Sequence, residues 1–159
     1  MKRLVIVLLV ISALLGLFSS ALCKGELGDA DVFTVYMGRT KNEVRRIAPE
    51  FTELVDNIFI VDSLVQDDDL IGLGVTFDDY NLVDNVVVLM TPGAMKLMDL
   101  KPDLNTAASA ALVFMGFSSD DLIKSSSDSD GDLFLTLKGG ISVLASLLSE
   151  GLYLVIASQ

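Results

Sequence analysis

The amino-acid sequence predicts an α/β domain in which helices cover a mostly parallel sheet. Three observations carry that expectation. A strand, a glycine turn and a helix recur three times: at DVFTVYMG before Arg39, at DNVVVLMTPG before Ala94 and at DLFLTLKGG before Ile141. Residues 86–90 (VVVLM) are apolar without alternation, the pattern of a strand buried on both faces in the middle of a parallel sheet. Strands that alternate with helices place crossovers on both faces, so the expected architecture is a three-layer, flavodoxin-like sandwich.

Taken in order, residues 31–37 are β-branched and aromatic, stop at Gly38 and predict the first strand. Thr40 then caps a helix through 39–57, where Val44, Ile47, Ala48, Phe51, Leu54 and Val55 recur at three- and four-residue spacing; Pro49 kinks it or starts a second short helix. Residues 58–61 (IFIV) form the next strand. The aspartate- and glycine-rich stretch 62–85 predicts mostly loop, with a short edge strand at 74–77. Thr91, Pro92 and Gly93 turn the apolar strand into a short helix. Asn105 or Thr106 caps another helix from Ala107, and 112–117 either continues it or forms a strand. Residues 118–124 predict a capped helical turn and 125–130 a Ser/Asp loop. A closing unit follows: a strand at 132–137, a Gly139-Gly140 turn, a helix at 141–150 with Ile141, Leu144, Ala145 and Leu148 on one face and Gly151 at its C′ position, and a strand at 152–157.

The N-terminus has the three parts of a secretory leader: Met1-Lys2-Arg3, an apolar run over 4–18, and a small-residue exit at Ser19, Ser20 and Ala21. Cleavage after Ala21 or Cys23 leaves one domain, 24–159, secreted or otherwise extracytoplasmic. Residues 4–22 are also close to the roughly 20 that a spanning helix needs, so a retained anchor stays open. Acylation of Cys23 is a further alternative, disfavoured by the bulky Leu22 where a lipobox wants a small residue. Contact with a membrane is expected only through this segment.

Removal of Lys2 and Arg3 leaves nine basic against 22 acidic residues. Such a surface repels nucleic acid and anionic lipid, which both require cationic contacts. Cys23 is the only cysteine and histidine is absent, so an intramolecular disulfide and a Ser-His-Asp triad are both excluded. The core alone must hold the fold, and a hydrophobic content of 52 % makes that feasible.

The segments VVVLMTPGAMKLM (86–98), GFSSDDLI (116–123) and GGISVLASLLSEGLYLVIAS (139–158) give the chain a resemblance to the DsrE/DsrF-like family of small α/β proteins. The resemblance implies that fold and a trimeric or hexameric assembly. Some members of the family pass sulfur on a cysteine; no cysteine stands beyond Cys23 here, so that activity is not expected to carry over.

In an open parallel sheet, ligands bind beyond the carboxyl ends of the strands. The candidate site at that edge comprises Gly38, Arg39, Thr40, Thr91, Gly93, Lys138, Gly139 and Gly140, where Arg39 and Lys138 with helix N-terminal amides suit a small molecule or anion. Arg39, Lys41, Arg45 and Arg46 cluster on an acidic chain, and pairing with Glu43, Glu50 and Asp56 is the simpler account of them. Asp128, Asp130 and Asp132 alternate as calcium ligands do, but an EF-hand would place its twelfth ligand at Leu137, so only a weak calcium site is compatible with them. The expected function is a non-catalytic binding or assembly domain, homo-oligomeric through an apolar helix or strand surface. Small-molecule or anion binding, with or without catalysis, and calcium-dependent adhesion are the alternatives.

Overall fold

The computed structural model describes residues 32–55, 57–66, 69–148 and 151–159. The predicted leader and Cys23 lie outside the described residues, as do Asp31, Asp56, Asp67, Asp68 and Glu150.

Eight strands form one sheet, ordered β1-β2-β3-β4-β8-β7-β6-β5, and every neighbouring pair is antiparallel. The strands are β1 (Thr52–Val55), β2 (Ile58–Gln66), β3 (Asp69–Phe77), β4 (Val83–Met90), β5 (Leu122–Ser127), β6 (Leu133–Leu137), β7 (Ser142–Leu147) and β8 (Tyr153–Ser158). The helices are α1 (Val32–Tyr36), α2 (Lys41–Ile47), α3 (Pro92–Leu97) and α4 (Leu104–Met115). The mostly parallel three-layer sandwich, and with it the DsrE-like α/β architecture, is therefore overturned. Connection length is the physical reason: a parallel pair needs a crossover of about a dozen residues, whereas most strands here are joined by a few. One long connection, from β4 through α3 and α4 to β5, carries the chain from the centre of the sheet to its far edge. Two helix-plus-meander halves, α2–β1–β2–β3–β4 and α4–β5–β6–β7–β8, thus meet at the β4–β8 pair.

Individual elements depart from expectation for local reasons. Residues 31–37, expected as a strand, supply the short helix α1, whose Phe33 and Tyr36 are buried one turn apart; the Phe33 ring lies 5.2 Å from that of Phe117. Thr40 caps α2 as expected, but the helix ends at Ile47, ahead of Pro49, and Thr52–Val55 becomes β1. The expected loop 62–85 contains all of β3 with the end of β2 and the start of β4, and the edge strand expected at 74–77 is the second half of β3, interior to the sheet; pairing with β2 and β4 outweighs its glycines. Asp103, rather than Asn105 or Thr106, caps α4, which runs on to Met115 and stops at a left-handed Gly116. Within the expected helix at 141–150, Ser142–Leu147 is β7. Its apolar residues satisfy both periods, but Val143 and Ala145 are buried while Ser142 is exposed and Leu144 and Ser146 are half-buried, and strands β6 and β8 satisfy its backbone on both sides.

All four helices contribute to one core on one face of the sheet. Val86, Val88 and Met90 of β4, Val155 and Ala157 of β8, and Val143 and Ala145 of β7 face Ala107, Ala108, Ala111 and Met115 of α4. The alanines keep the helix close to the sheet, and the Tyr153 hydroxyl ties its approach segment down by donating to the Pro102 carbonyl at 2.7 Å. Among the described residues no helix lies on the opposite face. Val87 and Leu89 point there by alternation and are buried nonetheless, so the expectation that β4 is buried on both faces holds in an antiparallel setting.

Candidate functional site

The eight residues expected at one strand edge occupy both ends of the sheet. An antiparallel sheet has no common carboxyl edge, because carboxyl and amino ends alternate along each side. Gly38, Arg39 and Thr40 run beside the start of β4: the Gly38 amide donates to the Val83 carbonyl at 2.9 Å and the Val83 amide to the Arg39 carbonyl at 2.8 Å. Lys138, Gly139 and Gly140 form the β6–β7 turn at that same end. Thr91 and Gly93 follow β4 at the other end, about 24 Å away at ~3.4 Å per residue.

Each of these side chains has a local role. Thr40 and Glu43 form a reciprocal capping box: the Glu43 amide donates to Thr40 Oγ1 at 3.3 Å and the Thr40 amide to Glu43 Oε2 at 2.8 Å. Those bonds, with the nearby Arg39 charge, hold the Glu43 carboxyl below its ordinary range. Arg39 Nη1 lies 3.6 Å from Glu43, and its Nε donates to the Val35 carbonyl. Lys138 likewise has an acidic neighbour, since its charge helps bonds from Ser118 to lower the Asp121 carboxyl. Of the remaining basic cluster, Lys41 Nζ stands 4.2 Å over the Phe59 ring and Arg45 5.5 Å over that of Phe51. Among the described residues no ion pair joins these two cations to a carboxylate, and an aromatic group of Phe51, Phe59 and Phe77 supports them by stacking; Asp56 lies outside the described residues.

Thr91 and Gly93 belong to a polar clasp at the end of β4. The Leu70 amide donates to Thr91 Oγ1 at 3.1 Å, the Ala94 amide donates to it at 3.2 Å, and Thr91 Oγ1 donates to Asp69 Oδ1 at 3.1 Å. A Cβ on Gly93 would fall inside the van der Waals envelope of the Asp69 carboxylate, so Asp69 fills the space that the glycine leaves.

Asp128, Asp130 and Asp132 make the β5–β6 turn. Asp128 Oδ1 accepts from the amides of Asp130 and Asp132, each at 3.0 Å, and Gly131 has φ +88°. The β3–β4 turn has the same construction: Asp78 Oδ1 accepts from the amides of Tyr80 and Leu82 at 2.9 Å, and Asn81 has φ +59°. The recurring pattern is an aspartate followed three residues later by a residue that tolerates positive φ, a hairpin signature present in both DDYNL and DSDGD. Among the described residues no group of three or more acidic, histidine or cysteine side chains is arranged to hold a metal ion.

No family model, curated protein or solved structure matches this chain. Function must therefore be argued from its surfaces.

A groove of about 260 Å³ lies between α4 and the β5–β6 hairpin. Leu112, Phe117, Leu133 and Leu135 provide its apolar walls, and Asn105, Ser109, Ser119 and Ser125 line it with neutral polar groups. The α4 side of this groove was legible as a helix, but its β5 side was not, because residues 122–127 (LIKSSS) carry little strand signal. Edge strand β5 pairs only with β6, and all six of its residues are exposed.

Proposed function

We propose that this chain is an exported, non-catalytic binding domain whose groove between α4 and the β5–β6 hairpin takes an uncharged amphipathic ligand. The groove's composition carries the reading: apolar walls bind an alkyl or aromatic body, while serine and asparagine side chains offer hydrogen bonds to a neutral polar end. Its volume is just under the roughly 300 Å³ at which drug-sized pockets begin, which suits a small molecule or one end of a larger one. The formal charge of −11 disfavours an anionic ligand at long range.

Export rests on the form of the leader, and fractionation of expressing cells with an intact mass of the product tests it. A mass beginning at Leu22 or Lys24 in an extracytoplasmic fraction is expected; full-length product in the cytosol counts against it. Ligand binding is tested by amide chemical-shift mapping with octyl glucoside, a neutral hydroxylated head on a short alkyl tail. Shifts are expected at Ser109, Phe117 and Leu135 and should vanish in Ser109→Trp, whose ring fills the groove from an exposed position. Equal shifts in that variant, or shifts confined to other surfaces, would refute the proposed site.

A further inference from the structure

Strand β5 closes one edge of the sheet, pairs only with β6 and is exposed at all six residues. The hairpin's own bonds fix which of its backbone groups face outwards. The Asp128 amide donates to the Asp132 carbonyl, so alternation turns the backbone groups of Ser126 and Lys124 towards β6 as well. On β6 the Leu137 amide donates to the Ile141 carbonyl at the β7 side, which leaves Phe134 and Thr136 to complete those pairs with β5. Ser125 and Ser127 therefore direct both N–H and C=O away from the sheet, two residues apart, on an edge that no described element covers. We infer that β5 is a docking edge for an extended peptide segment, neutral in its middle and basic at both ends, which adds to the sheet as a further antiparallel strand.

Charge selects this occupant. Asp120 and Asp121 stand just before β5, Asp128, Asp130 and Asp132 just after it, and Lys124 is the one charge within it. A second copy pairing here about a two-fold axis would set the carboxylates before one strand against those after the other, on chains of formal charge −11 each, so self-association is opposed. The same two acidic groups attract cations. They are separated by the six residues of β5, roughly 20 Å at ~3.4 Å per residue, which matches a segment of about seven residues with a lysine or arginine at each end. Lys124 keeps the middle of that segment free of further cations. Main-chain bonds to Ser125 and Ser127 supply attachment, and side-chain alternation supplies selection. Leu122, Ser125 and Ser127 lie opposite Leu137, Leu135 and Leu133, on the face that carries the helices, whereas Lys124 and Ser126 lie on the other. Apolar residues of the peptide thus belong on the helix-bearing face, beside Leu122, and polar ones on the face of Lys124. Ile123, at the register shift between Leu122 and Lys124, is 65 % exposed and adds apolar contact at that end.

The test is a fluorescence-anisotropy titration of the chain, expressed with its own leader and purified as processed, against a labelled, end-blocked peptide in which valine and serine alternate between two terminal lysines (KVSVSVK). Saturable binding is expected, weakened about tenfold when glutamates replace the lysines. With the valines on the helix-bearing face their amides point at β5, so N-methylation of the valines should abolish binding and N-methylation of the serines should not. Ser125→Pro removes an outward donor and no bond to β6, and should weaken binding about tenfold or more without moving the thermal midpoint. The methylated peptides make the same test on the unaltered protein. Ser109→Trp, which fills the neighbouring groove, should bind the peptide as the wild type does. No binding at millimolar peptide, binding that survives valine methylation, or indifference to the exchange of lysine for glutamate would each overturn the inference. So would loss of the peptide in Ser109→Trp, which places it in the groove, or self-association that Ser125→Pro abolishes, which makes the edge a contact between copies.

Discussion

Replacing Gly93 with alanine tests whether the clasp at the end of β4 is a structural device. Two effects oppose each other. Alanine in place of glycine within a helix stabilises by about 0.5–1 kcal/mol when nothing obstructs it. Here the new methyl group meets the Asp69 carboxylate, which is held by the Thr91 hydroxyl at 3.1 Å. Displacing that carboxylate removes a charge-assisted hydrogen bond, worth about 1.5–3 kcal/mol, and disturbs the hydroxyl that also accepts the Leu70 and Ala94 amides. The clash wins, and a net loss of about 1–2 kcal/mol is expected in urea denaturation. Asp69→Ala removes the obstruction, so in that background Gly93→Ala should become neutral or stabilising. The double-mutant cycle should give a coupling of about 1–3 kcal/mol. If Gly93→Ala stabilises the wild-type chain, or if the two effects simply add, Asp69 does not occupy the glycine's space and the reasoning fails.

Asp78→Ala and Asp128→Ala each remove an oxygen that accepts two turn amides, so each should cost about 1–2 kcal/mol by denaturation; an unchanged midpoint would show that water replaces those bonds freely. Glu43, Asp103 and Asp121 have lowered carboxyl pKa values because cap amides donate to them. Their contribution is present above the ordinary values of 4.5 and 3.8 and disappears as pH falls through the lowered ones. The thermal midpoint should therefore drop in acid, less so in a triple Gln/Asn variant. Asp62 has the opposite sign: burial raises its carboxyl, so Asp62→Asn should stabilise the fold at neutral pH and lose that advantage as pH falls towards 3.8. Burial, aided by the Asp62 charge, pushes the Tyr36 phenol from 10.0 up to about 12. The folded state keeps this proton while the unfolded state releases it, so stability should decline between those values, and Tyr36→Phe should flatten the decline in an alkaline titration.

Features that depend on a few adjacent residues were legible in the chain alone. Thr40 as a cap, the turn into a short helix at Thr91-Pro92-Gly93, the apolar strand 86–90, the strands near 58, 133 and 153, and the turn at Gly139-Gly140 all follow from side-chain bonds or backbone freedom within one turn of chain. Composition likewise excludes an intramolecular disulfide and a histidine-based triad within this sequence. Strand direction, and with it the site, was decided only in three dimensions. Residues 141–150 satisfy helical and alternating periods alike, residues 32–36 have strand propensity but fold as a helix against Phe117, and much of the glycine- and aspartate-rich stretch 62–85 joins the sheet because its neighbours complete its hydrogen bonds. A strand buried on both faces, such as 86–90, reads the same in a parallel or an antiparallel sheet; short connections separate the two, and their length is visible only once each element is known. The expected strand-edge site depended on that direction, so its residues divide between opposite ends of β4, while the groove arises from contacts between segments far apart in the chain.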